Sequence, residues 1–141
     1  MEEKNVVFDS EITRNQMQSG LMFCLYQYFF YVNMHEKPDI NQIVENIFNK
    51  PISECDMFIK KCIKLAVINA QKAINEIEPL LNDWVFTRLS LVEQAILLLG
   101  YVEIKFLDFP RPVAIDIAVK LAAKYADESS YKFINAVLEK V

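Results

Sequence analysis

The sequence predicts an all-α fold, a single compact domain of about seven helices. Only two glycines and five prolines occur in 141 residues, so few positions can form the tight turns that many short strands need. Hydrophobic residues make up 53% of the chain, which is ample for the core of one domain of this length. Apolar residues also recur at the spacing of helix faces, without a convincing strand or an internal repeat.

The most apolar segment runs from Ser90 to Ile104 and is predicted to be a helix at the centre of the domain. It is apolar on nearly every face, so other helices must cover it on all sides. The S-x-x-E spacing of Ser90 and Glu93 predicts a capping box at its start. The run is far too short to span a bilayer, and Glu93 and Glu103 interrupt it.

A first helix of about 20 residues is expected to begin after Asp9 or Ser10, either of which can cap it, and to end near Val32. Its C-terminal half is strongly apolar, so we expect that half to be buried. Gly20 lies inside this helix at a cost of about 1 kcal/mol relative to alanine, which indicates close packing or a bend. His35 follows in the loop and is interpreted as an ordinary solvated side chain.

Two more helices are expected before the central one. Asp39 and Gln42 form a pair like a capping box at the start of a short helix that ends near Lys50. A longer helix is expected to start between residues 53 and 56 and to keep one apolar face as far as Glu78. Its other face is interpreted as solvated, with a basic strip that faces a partner as the alternative. The lysines of that face are Lys60, Lys61, Lys64 and Lys72.

A further turn or short helix is expected at residues 80–84, where Trp84 is large enough to anchor the segment on the core. Phe86 and Leu89 are expected to support that contact. Two more helices, at about residues 113–124 and 131–139, are expected to close the domain around the central helix.

No constellation of residues indicates catalysis, so the sequence predicts a protein that is not an enzyme and has no metal site or cofactor. Gly20 and Gly100 are the only glycines and cannot form a phosphate-binding loop. The three cysteines, Cys24, Cys55 and Cys62, include no C-x-x-C pair. They are interpreted as reduced, buried, small hydrophobic residues.

The charge of the chain limits the class of partner that it can bind. The formal net charge is −4, and only three of the fifteen basic residues are arginine. This balance argues against a broad surface for phosphate groups. The start of the chain is acidic and polar, unlike a signal peptide, which predicts a cytoplasmic protein without a membrane partner.

Four blocks of the C-terminal half follow a known order. Trp84 and Arg88-Leu89 match W-x-x-x-R-L, and residues 95–104 match A-[IV]-L-R-[LI]-A-x-[YF]-E-[LI]. Residues 113–124 match V-A-I-N-E-A-[VI]-E-L-A-K, and residues 132–139 match K-F-V-N-G-V-L-D. In these blocks the chain resembles the NusB family of bacterial transcription antitermination factors. The resemblance implies a NusB-like helical bundle of two three-helix subdomains, at residues 1–78 and 79–141.

The resemblance also implies an RNA surface. In the NusB family an arginine-rich start of the first helix binds the boxA RNA element, and here that segment falls on residues 14–18, where only Arg14 keeps a guanidinium. The amide side chains there can still hydrogen-bond to bases, Gln16 among them, and a tyrosine that matches the family could stack on a base. Replacing about three arginines predicts weak RNA binding with a shallow salt dependence. The RNA-binding candidates are Arg14, Asn15, Gln18, Tyr26, Lys132 and Asn135.

A second face of the family holds NusE, a protein of the small ribosomal subunit. The candidates for contact with a protein partner here are Glu93, Lys120 and Phe133. Two of them have a simpler structural explanation as well, because Glu93 can cap its helix and Phe133 can join a core stripe. Asn135 is interpreted as a hydrogen bond between helices or as a partner contact.

Two departures from the family pattern occur together. Leu98 and Ile117 stand where the family has Arg and Glu, so both charges are missing. We hypothesise that the two positions face each other and that a buried ion pair has been exchanged for an apolar contact. Such an exchange is often neutral or stabilising by about 1 to 4 kcal/mol.

The resemblance implies a factor without enzyme activity that supports antitermination and ribosomal RNA synthesis. It would bind NusE and boxA-type single-stranded RNA as part of the antitermination complex of RNA polymerase. The alternative is a module that keeps the fold, has lost RNA binding, and works through homodimerisation or another protein partner.

Overall fold

Six α-helices make up most of the chain in this computed structural model, which describes residues 12–141. They are α1 (Arg14–Asn33), α2 (Ile40–Phe48), α3 (Met57–Ile77), α4 (Leu91–Lys105), α5 (Arg111–Tyr125) and α6 (Ser130–Leu138). Single 3-10 turns occur at Ile52–Glu54, Glu78–Leu80 and Phe86–Arg88. No strand occurs in these residues, so the all-α prediction is confirmed.

The ends of the helices are fixed by side chains close in sequence. Thr13 caps α1, because its Oγ1 accepts from the Gln16 amide at 3.1 Å and its own amide donates to Gln16 Oε1 at 2.7 Å. The expected caps Asp9 and Ser10 lie outside the described residues. Asp39 caps α2 by accepting from the Gln42 amide at 3.2 Å, but the Gln42 side chain donates to Asn46 Oδ1 at 2.9 Å, so only one half of the predicted pair forms.

Helix α4 lies at the centre of the fold, as predicted. Every residue from Gln94 to Glu103 is buried, since α1, α3, α5 and α6 all pack against this helix. The capping box at its start is present, with the Glu93 amide 3.2 Å from Ser90 Oγ and the Ser90 amide 3.1 Å from Glu93 Oε1. Glu93 Oε2 also accepts from Ser130 Oγ at 2.7 Å, so one carboxylate ties the start of α6 to the start of α4.

The side chain of Trp84 does not anchor the core, contrary to the prediction. Asn82 and Asp83 have φ values of 51° and 74°, and these two left-handed residues precede an indole that is 57% exposed. Phe86 takes the inner position instead. It is 1% exposed, and its ring lies 5.5 Å from that of Phe29 on α1.

Close packing at the glycines of α1 and α4 explains why small residues occur inside these helices. A Cβ atom on Gly20 would overlap the ring of Phe48, the last residue of α2. A Cβ atom on Gly100 would lie 2.8 Å from Cδ1 of Leu138 on α6. The close packing expected at Gly20 is therefore confirmed, and α2 lies across α1 at this point.

One carboxyl group is buried among the helices. Glu103, in the last turns of α4, is 1% exposed, and burial raises the pKa of its carboxyl from 4.5 to about 7. The Gln18 amide and the Arg14 guanidinium lie close enough to oppose part of this rise in the pKa. Among the described residues, however, Glu103 Oε2 and both polar side-chain atoms of Gln18 lack a hydrogen-bond partner of normal geometry.

The described helices include none that is long and apolar enough to cross a membrane.

Leu98 is fully buried on α4, and Ile117 is half-buried on the neighbouring α5, in agreement with an apolar environment at both positions. Their direct contact stays a prediction.

The glycine contacts predict unequal costs for two alanine substitutions. We expect Gly20→Ala to lower the free energy of unfolding by about 1 to 3 kcal/mol, because the Phe48 ring must move. Gly100→Ala is expected to be closer to neutral, since the Leu138 methyl can shift and alanine favours helix by about 1 kcal/mol. Urea unfolding measures both. Phe48→Leu should recover stability in the Gly20→Ala background, and a Gly20→Ala protein as stable as the parent would contradict the packing described.

The raised pKa of Glu103 predicts a stability that depends on pH. The folded state binds this proton more tightly than the unfolded state, so the gain is complete below about pH 4.5 and is lost as the pH rises through about 7. Glu103→Gln stays neutral at every pH. We expect it to raise the free energy of unfolding by about 2 to 3 kcal/mol at pH 8 and by much less at pH 5.

Denaturant titrations at the two pH values measure this difference. Glu45→Gln, on the exposed face of α2, is the matched control for the loss of a carboxylate. The same pH dependence in the parent and in Glu103→Gln would show that this carboxyl does not titrate in the range expected.

Candidate nucleic-acid and protein-binding surfaces

A groove beside the start of α1 brings together residues from three helices. It has a volume of about 410 Å³ and lies between the first turns of α1, the end of α2 and the end of α5. We call it the α1–α5 groove. Its lining consists of Ile12, Asn15, Gln16, Ser19, Gly20, Phe23, Ile47, Phe48, Asn49, Lys124 and Tyr125.

The chemistry of the α1–α5 groove suits a single-stranded nucleic acid. The rings of Phe23 and Tyr125 meet edge to face with their centroids 4.9 Å apart, and the Lys124 ammonium lies 5.3 Å from the Tyr125 ring. Exposed aromatic rings can stack on bases, a lysine can pair with a phosphate, and the exposed Asn15 amide can bond to a base edge. The Gln16 carbonyl is already used in the cap of α1.

Arg14 is exposed at the first turn of α1, where it contacts α3. Its guanidinium lies 4.0 Å from the centroid of the Phe58 ring, a cation–π contact. Phe58 in turn stacks on Phe109, with the rings 6.1 Å apart and 17° from parallel. The guanidinium thus packs against a pair of stacked aromatic rings.

The other candidates on α1 have opposite environments. Gln18 is 2% exposed and points into the core beside Glu103, so we remove it from the surface candidates. The sequence suggested exposure because this segment is polar, but α1 packs against α4 and buries this side chain. Tyr26 is 37% exposed, and its spacing from Asn15 places both on one face of α1.

Lys132 and Asn135 lie in a different groove, between α5 and α6, with a volume of about 720 Å³. This α5–α6 groove shares no lining residue, in the part of the chain described, with the α1–α5 groove. Of the other RNA candidates, Asn15 lines the α1–α5 groove, and Arg14 and Tyr26 line neither groove. The α5–α6 groove is lined by Arg111, Pro112, Ile115, Asp116, Val119, Tyr131, Lys132, Asn135 and Glu139.

Two of the candidates for protein contact, Glu93 and Phe133, line the same pocket, and Lys120 lies apart from it. Lys120 makes an exposed ion pair with Asp116 one turn earlier on α5, with Nζ 3.0 Å from Oδ2. Glu93 is half-buried and bonds to Ser90 and Ser130, so its carboxylate has a structural task. Capping therefore accounts for its position without a partner.

Phe133 borders a pocket that the sequence did not reveal. The pocket has a volume of about 430 Å³, and the half-buried Phe133 faces it across from Trp84 and Arg88. We call it the Trp84 pocket. An exposed tryptophan and an arginine at a pocket are typical of the residues that dominate protein–protein binding energies. Its lining is Trp84, Arg88, Leu89, Glu93, Ser129, Ser130 and Phe133.

The cysteine thiols are buried and have low reactivity. Cys24, Cys55 and Cys62 are buried and unpaired, as the sequence predicted. Burial raises the pKa of Cys24 and of Cys62 to about 12, and it raises the pKa of Cys55 as well. All three therefore stay protonated at neutral pH.

Sequence reasoning missed the contributions of Lys124 and Tyr125. The signal was present, because an aromatic residue directly follows the last lysine of the helix predicted at residues 113–124. What the sequence did not show is that the end of α5 meets the start of α1. Only tertiary packing brings these residues to the same groove as Asn15.

Comparison with known proteins agrees with the fold and the motif order. The NusB family model matches residues 24–141. The transcription antitermination protein NusB of Listeria monocytogenes serotype 4a is 34% identical over 116 residues, which are 82% of this chain and 88% of that protein. NusB of Crocosphaera subtropica is 46% identical over 71 residues, 50% of this chain and 34% of that protein.

Solved structures show the same architecture. T. maritima NusB superposes with a TM-score of 0.78 at 28% identity, covering 92% of this chain and 90% of that one. NusB in a crystal structure of the antitermination factors NusB and NusE with double-stranded RNA gives a TM-score of 0.75 at 24% identity, over 90% and 93% of the chains, which is a likeness in fold alone. With the family match, the ordered motifs and this shared architecture, the chain belongs to the NusB family.

Proposed function

We propose that this protein is a transcription antitermination factor that binds RNA through the α1–α5 groove and a protein partner through the Trp84 pocket. The α1–α5 groove is the observation that carries the proposal, because it joins an ammonium, two aromatic rings and the exposed Asn15 amide at the start of α1. Its mechanism is to bridge partners. It performs no catalysis and acts in the cytoplasm.

Support for RNA as the ligand comes from the surface chemistry. Lys124 lines the groove and supplies a charge for a phosphate, and Arg14 supplies another at the first turn of α1, outside the groove lining. Phe23 and Tyr125 supply rings for bases in the groove, and Tyr26 supplies a further exposed ring along α1. Few cations face this groove, so affinity depends more on stacking than on charge. A short single-stranded element of the boxA type, with unpaired bases, is therefore the ligand that we assign to this groove.

Support for a protein partner comes from the Trp84 pocket and from the solved structure of another protein with this fold, in which NusE and double-stranded RNA are also present. We propose NusE as the partner here, with the indole of Trp84 and the ring of Phe133 as the central contacts. The ion pair of Lys120 lies on α5, away from the lining of this pocket, and contributes little at full exposure.

Loss of either cation should weaken RNA binding and flatten its salt dependence. We expect Arg14→Ala and Lys124→Ala each to reduce the affinity for a boxA-type dodecamer by about threefold to tenfold, and the slope of log K against log salt by about 0.7. Fluorescence anisotropy over a salt series, with NusE present, measures both quantities. Lys61→Ala, on the exposed face of α3, is the matched control. Equal losses in all three variants would mean that only the overall charge matters.

Removal of the exposed indole should weaken the protein partner without unfolding the domain. We expect Trp84→Ala to lower the affinity for NusE by about tenfold or more, because aromatic anchors dominate such interfaces. Calorimetric titration with NusE measures this loss. Ile68→Ala removes an equally exposed apolar side chain from α3 and should leave the affinity unchanged. Full NusE affinity in Trp84→Ala would remove this pocket from the proposal. If the parent protein forms a homodimer and binds neither NusE nor RNA, the alternative is favoured, a module that keeps the fold and works through other protein contacts.

A further inference from the structure

The buried end of α4 lies directly under the first turns of α1. Glu103 faces this junction, and its carboxyl is 1% exposed. Over residues 12–141, its Oε2 and both polar atoms of the Gln18 side chain make no hydrogen bond of normal geometry, although the Gln18 amide lies close enough to lower the pKa of the carboxyl. Buried polar atoms without a well-formed hydrogen bond are unusual, because each costs free energy unless something satisfies it.

Arg14 is the countercharge at this junction. It lies close enough to lower the pKa of Glu103 and also the pKa of Cys62 on α3, so one guanidinium acts on both buried groups. Its position over the Phe58 ring, one turn before Cys62, agrees with this arrangement. Arg14 is also the only charged residue in the sequence of α1.

The other helices around α4 supply no competing charge at this junction within the described chain. Helix α3 presents the Cys62 thiol, which is neutral because burial raises its pKa to about 12. The charged residues of α5 are exposed to solvent, and so is Lys132 of α6. In the same way, Lys105 at the end of α4 and Asp108 in the next loop are exposed.

We propose that Glu103 is a positioning residue for Arg14 and that it links RNA binding at the start of α1 to the uptake of a proton. This inference rests on the proposed function. While Glu103 is charged, it attracts the guanidinium towards the protein. When Glu103 is neutral, Arg14 turns to a phosphate without leaving a buried charge alone.

The direction of the linkage follows from electrostatics. A bound phosphate draws the Arg14 charge away from Glu103 and places a negative charge near it. Both changes favour the protonated carboxyl, so binding raises its pKa further and takes up a proton. By reciprocity, RNA affinity is higher where Glu103 is protonated and falls as the pH rises through its titration.

The pH profile of RNA affinity tests this coupling. We expect the affinity of the parent protein for a boxA-type dodecamer to fall about fivefold or more from pH 6 to pH 8.5, whereas Glu103→Gln should show a flat profile. Arg14→Gln should bind weakly at all pH values and should also lose the slope. Calorimetry in buffers of different ionisation enthalpy should show proton uptake in the parent and none in Glu103→Gln.

A second readout uses the parent protein and needs no variant that could misfold. The carboxyl carbon resonance of Glu103, followed by NMR through a pH titration, should move to a higher midpoint when RNA is bound. RNA binding with parallel pH profiles in the parent and in Glu103→Gln, or with an unchanged midpoint, overturns the inference and leaves the proposed function in place. Absence of RNA binding at every pH, with and without NusE, overturns the proposed function and the inference with it.

Discussion

The burial of α4 on all sides is the constraint on which the rest of the molecule depends. No face of this helix is polar enough to be exposed to water, so α1, α3, α5 and α6 must surround it. Each surrounding helix then has one inner face and one outer face. The binding surfaces arise where two outer faces meet, which is why the α1–α5 and α5–α6 grooves lie between neighbouring helices rather than in a central cavity.

The two glutamates of α4 show how one helix uses the same residue type in opposite ways. Glu93 stands at the first turn and accepts hydrogen bonds from two serine hydroxyls and from a backbone amide. Glu103 stands near the last turn, where the dipole opposes a negative charge and burial excludes water. Position along the helix therefore separates a structural cap from a group that can exchange its proton.

Much of the fold could be predicted because its signals are local. The caps at Asp39 and Ser90 and the stripe of α3 follow from spacing alone. The site could be predicted only in part. Gln18 lies in a polar segment, and only the packing of α1 against α4 buries its side chain. The outward orientation of Trp84 depends on two left-handed residues that have no clear sequence signature. The meeting of Asn15 with Tyr125 requires contacts between distant segments.

The outward position of Trp84 has a consequence for spectroscopy. It is the single tryptophan of the chain, and water surrounds much of its indole in the folded state. Its emission is therefore already that of a solvated fluorophore and changes little when the helices melt. Any ligand that covers the pocket would instead shift the emission to the blue, so the native protein carries its own unlabelled optical probe of docking.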